Sequence, residues 1–180
     1  MRTQAIIFAA ICAGFFSTNS SRAELPPEIK PTADQYDQAM ATYDKNIALQ
    51  IKVARDSYVT VLNAVRKREA GARRDKSVAA IDAELKAMEA GPLPEAAPAD
   101  LPADAARYRE QYTTAPARAA KAVESARNFT RANYLKWLNG MGDVARKVKN
   151  ADLEAAVNSE IKRVSESDTE VNEDDPESDE

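Results

Sequence analysis

Two glutamates, Glu84 and Glu160, stand 76 residues apart in a chain of 180 residues that has no histidine and a single cysteine, Cys12. A carboxylate pair can serve as general acid and base or hold a divalent cation. The di-iron pattern of helical bundles pairs its glutamates with Glu-x-x-His, and histidine is absent. Lys86 and Lys162 follow each glutamate by two residues, so solvated, charged helix faces are the favoured expectation for both. Tyr58 and Tyr134 repeat at the same spacing, with Trp137 beside the second. They could line an aromatic pocket for sugar or peptide. Their place on an apolar stripe favours large core residues whose polar tips reach the edge of a bundle. The third constellation is basic: Arg66, Lys67, Arg68, Arg73 and Arg74, with Lys76, and a second group of Arg146, Lys147 and Lys149. Such clusters grip phosphate or an acidic polymer, and they also suit helix C-termini electrostatically. We take Arg66, Lys67, Arg68, Arg73 and Arg74 as the candidate binding residues. Net charge is -4 and no aromatics interleave the cations, which argues against a nucleic-acid partner. Without histidine, and with Cys12 in the N-terminal apolar run, usual zinc sites, Ser-His and Cys-His nucleophile pairs and thiol redox chemistry are removed from the remainder. No glycine-rich phosphate loop is present. We expect no catalytic residues, no metal and no cofactor.

The elements that must position these residues come in duplicate. Residues 32–88 align on 108–164 without a gap, with identical pairs including Gln35/Gln111, Tyr36/Tyr112, Lys45/Lys121, Arg55/Arg131, Tyr58/Tyr134, Leu62/Leu138, Asn63/Asn139 and Glu84/Glu160. Thr32 followed by Gln35 reads as a capping box opening a first helix. Its apolar positions run Tyr36, Met40, Tyr43, Ile47, Ile51, Ala54, Tyr58, Leu62 and Val65, a helical period, up to Gly71 as a C-terminal cap. A short second helix starts near Arg74 or Asp75, buries Val78, Ile81, Leu85 and Met88, and ends at Gly91-Pro92. The proline-rich segment 91–102 links the repeats, and Asp100 is expected to cap the third helix with Pro102 in its first turn. Pro116 predicts a kink or a recapped break in that helix. Gly140 and Gly142 weaken its far end without ending it, Asn150 to Asp152 make a turn, and a fourth helix buries Leu153, Val157, Ile161 and Val164. A fully extended linker spans about 34 Å, which would return the chain to the start of the first helix and set the third parallel to it. The N-terminal halves of the two long helices would then pack on each other or on a second copy.

Both ends have their own character. Met1-Arg2, an apolar run from Ala5 to Phe16 and the Ser21-Arg22-Ala23 site read as a secretory signal cleaved after Ala23. Twelve apolar residues are too few to span a bilayer, which takes about 20, so no stable membrane anchor is expected after cleavage. Ile11 before Cys12 argues against a lipoprotein signal. Residues 165–180 carry nine acids and no base, and are expected to be a disordered acidic tail able to fold back on a basic turn.

The helix containing Tyr134-Leu135-Lys136-Trp137-Leu138, the turn Lys149-Asn150-Ala151-Asp152-Leu153 and then Glu160-Ile161 resemble the helical hairpin repeats of secreted, uncharacterised proteins of planctomycete-type bacteria. Those repeats carry a Tyr-Leu helix followed by a Gly-Asp-Leu turn, and here Ala151 replaces the glycine. The resemblance implies a helical hairpin fold and no particular activity. The expectation is therefore an all-α chain of two tandem αα-hairpins with long first helices, forming an elongated up-down-up-down four-helix bundle. Its parts are a signal peptide (1–23), an extended proline-rich lead-in (24–31), repeat 1 (32–90), a linker (91–102), repeat 2 (103–164) and the tail (165–180). The expected function is that of an exported, periplasmic or secreted, non-enzymatic binding, scaffold or envelope-associated module with a protein partner, and a homodimer is open. The alternative is a periplasmic chaperone or stress-response protein using an exposed helical groove.

Overall fold

The computed structural model describes residues 25–166, and the expected signal peptide and all but the first two residues of the expected tail lie outside them. Every regular element among the described residues is a helix: α1 (Lys30–Gly71), α2 (Asp75–Ala90), α3 (Ala103–Thr113), α4 (Ala115–Val148) and α5 (Ala151–Glu166). No described helix is long and apolar enough to cross a membrane.

Local chemistry explains the boundaries. α1 and α4 each end in a Schellman turn. The amide of Arg74 donates to the Glu69 carbonyl and that of Arg73 to Ala70, while Asn150 and Lys149 repeat this on Ala145 and Arg146. The left-handed residues are Arg73 and Lys149, both at φ 57°, so the cap falls two residues past Gly71. Asn150 Oδ1 then accepts from the Leu153 amide at 3.1 Å and opens α5. The expected break at Pro116 separates α3 from α4. Thr114 sits at φ -89°, its hydroxyl donates to the Glu110 carbonyl, and Pro116 falls in the first turn of α4, where a missing N–H costs nothing. α4 continues through Gly140 and Gly142. Four local expectations change. α1 already begins at Lys30, so Thr32 lies inside it and does not open it as an N-cap. The residue preceding α3 is Pro102, with no side-chain cap, so Asp100 does not cap it. Residues 26–29 form a turn, with the Ile29 and Lys30 amides both on the Pro26 carbonyl, because Ile29 is fully buried. Ser165 and Glu166 are helical.

The chain forms two compact units, neither of which coincides with one sequence repeat. Unit 1 spans Lys45–Ala122 and combines the C-terminal part of α1 with α2, α3 and the start of α4. Its core is Tyr58, Leu62, Val65, Ile81, Met88 and Ala105, with Leu93 and Leu101 of the linker packed against it. Within unit 1, α3 lies antiparallel to α1, since Tyr112 stacks on Tyr58 while Asp104, nearer the start of α3, binds Arg68, nearer the end of α1. Unit 2 joins residues 25–44 to 123–166. Its core is Ile29, Ala33, Tyr36, Tyr134, Leu138, Ala145, Leu153, Val157 and Val164. There too α1 and α4 are antiparallel: Tyr36 stacks on Tyr134, and further along α1 Asp44 pairs with Arg127, further back along α4.

The parallel pairing expected from linker reach is thus replaced by antiparallel pairing. Leu93 and Leu101 gain more from burial on the α1–α2 core than an extended chain in water offers. α3 therefore starts beside the end of α1. The N-terminal half of each long helix packs on the hairpin of the other repeat. The ends of the arms expected to lack a partner are covered at Ile29, Ala33, Tyr36 and Ala105, whereas Leu49, in the same half of α1, is exposed.

Candidate functional site

Each unit holds a buried cluster of tyrosine, glutamate and arginine. In unit 1, Glu84 lies one turn and a half from the end of α2 and is nearly inaccessible. Its Oε1 accepts from Tyr58 Oη at 2.9 Å and from Arg109 Nε at 2.6 Å. The rest of the Arg109 guanidinium donates to linker carbonyls: Glu95 at 3.2 Å, Ala96 at 3.4 Å, and Pro94. In unit 2, Glu160 accepts from Tyr134 Oη at 2.8 Å and from Arg163 in a bidentate pair at 2.9 and 2.7 Å. Arg163 also reaches Asp37 at 3.0 Å and lies 5.9 Å over the Tyr36 ring. The aromatic faces are closed by Tyr112 at 5.9 Å from Tyr58, and by Tyr36 at 4.4 Å and Trp137 at 6.0 Å from Tyr134.

Glu84 and Glu160 are therefore core groups and do not lie on solvated faces. The tyrosines are core residues, as expected, but their hydroxyls point inward to a carboxylate. Burying a carboxylate alone is prohibitive, and each is stabilised by a phenol and a guanidinium. Burial, then the hydrogen bond and the charge of Glu84, push the Tyr58 hydroxyl far above the ordinary phenol range, which keeps it a proton donor. Glu84 and Glu160 belong to different clusters, so the structure does not assemble them into one acid-base pair.

The basic turn is also placed. Arg66 pairs with Asp82, Arg68 with Asp104 and Glu69, and Arg74 with Glu69. Hydrogen bonds from these arginines hold the carboxyls of Glu69, Asp82 and Asp104 below their ordinary range. Three of the five candidate cations are thus committed to unit 1 itself, while Lys67 and Arg73 are exposed, without an ion-pair partner among the described residues. No cluster of three or more His, Cys, Asp or Glu suited to a metal occurs among the described residues.

One surface is not visible in the sequence. Between α1 and the α3–α4 segment of unit 1 runs a shallow groove of about 510 Å³, lined by Leu49, Gln50, Val53, Ala54, Ser57, Tyr108, Gln111, Ala115 and Arg118. Leu49 and Val53 are 59% and 56% exposed. No family model, curated protein or solved structure matches the chain. Sequence reasoning also missed Arg109 and Arg163. A signal existed in the matched Tyr and Glu positions, since a duplicated acid at a core register needs a cation.

Proposed function

We propose that this chain acts by binding: an exported, non-enzymatic helical module, periplasmic or secreted, that scaffolds or captures a protein partner. The observation that carries this reading is the pair Leu49 and Val53, aliphatic side chains left more than half exposed beside a groove in unit 1. Phe129, Val144 and Val148 of unit 2 are exposed as well, but Leu49 and Val53 also border a groove rimmed by polar side chains, the usual mark of an interaction site. The groups best suited to acid-base chemistry support it from the other side, because Glu84 and Glu160 are enclosed and hydrogen-bonded to their own neighbours. The chaperone alternative draws on the same exposed groove beside Leu49 and Val53, and suppression of the aggregation of an unfolded client would favour it over capture of a specific partner. The signal-like N-terminus and the resemblance to secreted hairpin repeats supply the expectation of export.

The test is site-specific photo-cross-linking of the full chain in the envelope and secreted fractions of its native cell. A photoreactive residue at Val53 gives a discrete adduct that disappears when Leu49→Glu is added, and one at the exposed Lys86 of α2 gives none. Equal adducts from both positions, or none from Val53, would overturn the reading.

A further inference from the structure

We infer that the groove of unit 1 receives an acidic, amphipathic helix of a partner protein. This rests on the binding reading above and names its ligand. The floor runs along α1 from Leu49 to Val61, about 18 Å at helical rise, which accommodates roughly three turns of a docked helix. Leu49 and Val53 stand one turn apart, and Ala54, Ala115 and the Tyr108 ring continue the apolar strip, the spacing that i, i+3 and i+4 anchors of a helix require. Gln50, Ser57 and Gln111 supply hydrogen-bonding edges.

Charge chooses the sign of the partner. Arg118 lines the groove and donates to the Gln111 carbonyl, so its charge is not neutralised by a carboxylate among the described residues. Lys45 lies one turn before Leu49 on α1, and Lys121 lies one turn beyond Arg118 on α4. Both are exposed and have no ion-pair partner among the described residues of unit 1. The one acid lining this surface, Asp56, is already taken by Lys52. At the hairpin turn of the same unit, by contrast, Arg66, Arg68 and Arg74 are matched by carboxylates. Arg118 in the lining, with Lys45 and Lys121 one turn beyond it along α1 and α4 and no unpaired carboxylate in the lining, selects an acidic partner and repels a basic one. A purely polyanionic ligand would satisfy the cations and leave Leu49 and Val53 wet.

The surface is repeated only in part, since the residue equivalent to Val53 is Phe129, itself 69% exposed. The residues equivalent to Leu49 and Arg118 in the other repeat are Ser125 and Thr42, and the Thr42 hydroxyl bonds its own helix at Gln38. Unit 2 keeps the tyrosine–glutamate core without these two residues.

The experiment is fluorescence anisotropy of the full chain with a labelled synthetic helix of about 16 residues, long enough to be helical. The probe carries leucine at i, i+3, i+4 and i+7, glutamate at about four outward positions and alanine elsewhere to keep it helical, and its counterpart carries lysine for glutamate. The acidic probe binds saturably. Binding weakens at least about tenfold in L49E/V53E and about threefold to tenfold in R118E, and is unchanged in K86E, an exposed position on α2. These side chains are exposed, and circular dichroism melting of each variant verifies the fold. Equal binding of the lysine peptide, or loss of binding in K86E with none in L49E/V53E, overturns the assignment. No saturation by about 1 mM also overturns it, while the cross-link from Val53 still decides the binding reading by itself. Tighter binding after removal of residues 167–180 would show the groove filled by the chain's own acidic end, and would overturn a partner in trans.

Discussion

The two units bury the same phenol and the same carboxylate but neutralise them with different arginines. In unit 1 the cation is Arg109, brought by α3, and in unit 2 it is Arg163, from the same helix as Glu160. The residue equivalent to Arg109 in the other repeat is Ala33, and the one equivalent to Arg163 is Ala87. The duplicated hairpin therefore demands a cation at one point in space, while the chain position supplying it is free to change. Supplying it from α3 does more than balance charge: Arg109 also ties down the carbonyls of residues 94–96. Its side chain is 8% exposed against 43% for Arg163.

That difference predicts the largest effect. Arg109→Ala leaves Glu84 and the linker carbonyls unpaired in the interior, and should cost about 3–5 kcal/mol by chemical denaturation. Arg163→Ala, with water at hand to solvate Glu160, should cost about 1–2 kcal/mol. Adding Ala87→Arg to the Arg109 variant moves the cation to the unit 2 position and should recover part of the loss, though not the linker contacts. Equal costs for the two arginines, or no recovery, would show that the source of the cation does not matter as argued.

Much of this fold is legible in the sequence. The 76-residue repeat, the helical period of the stripe, the break before Pro116 and the turn at Asn150 are all read from the sequence, and the helices appear near where it places them, except that Thr32 and Asp100 do not cap α1 and α3. Pairing is not legible, because it depends on Leu93 and Leu101 preferring a core to water, a choice made by tertiary burial that an extended-length estimate ignores. Glu84 misleads for a related reason. Lys86 two residues on marks a polar neighbour, but two residues is more than half a helical turn, and the glutamate occupies the opposite, buried face with Ile81 and Met88. The groove is invisible because Leu49 and Val53 look like ordinary apolar residues of a long helix until the structure leaves them uncovered.

Acid offers a second way to part the units. In unit 1 the carboxyls of Glu69, Asp82 and Asp104 lie below their ordinary values, held there first by arginine hydrogen bonds. A depressed native pKa contributes stability that is present above the unfolded value, near pH 4, and is lost as pH falls through the native value. The turn joining α1 to α2 should thus loosen below about pH 4. Hydrogen exchange followed by mass spectrometry should show protection over residues 66–82 falling before that over 134–164. Asp104→Asn with Glu69→Gln should flatten this pH dependence, and added salt should mimic acid in part, since Arg66, Arg68 and Arg74 face solvent. Simultaneous loss in both regions would remove the distinction.

The smallest effect tests whether unit 2 can be given what unit 1 already has. Where unit 1 carries Ala64 and Arg66, unit 2 carries Gly140 and Gly142, inside a helix that continues past both. Neither glycine has a positive φ, so neither is there for conformational freedom. A Cβ at Gly140 would meet nothing within 4 Å, and one at Gly142 would touch Val157 Cγ1 at 3.6 Å, an ordinary contact. Gly140→Ala should therefore stabilise unit 2 by about 0.5–1 kcal/mol, through the unfolded-state entropy that glycine retains. Trp137, the only tryptophan, stacks on Tyr134 in unit 2 and reports its unfolding by fluorescence. An unchanged or lower midpoint would mean that the backbone at residue 140 is strained in a way its equivalent at Ala64 is not, and that the likeness of the two units stops short of the helices that carry them.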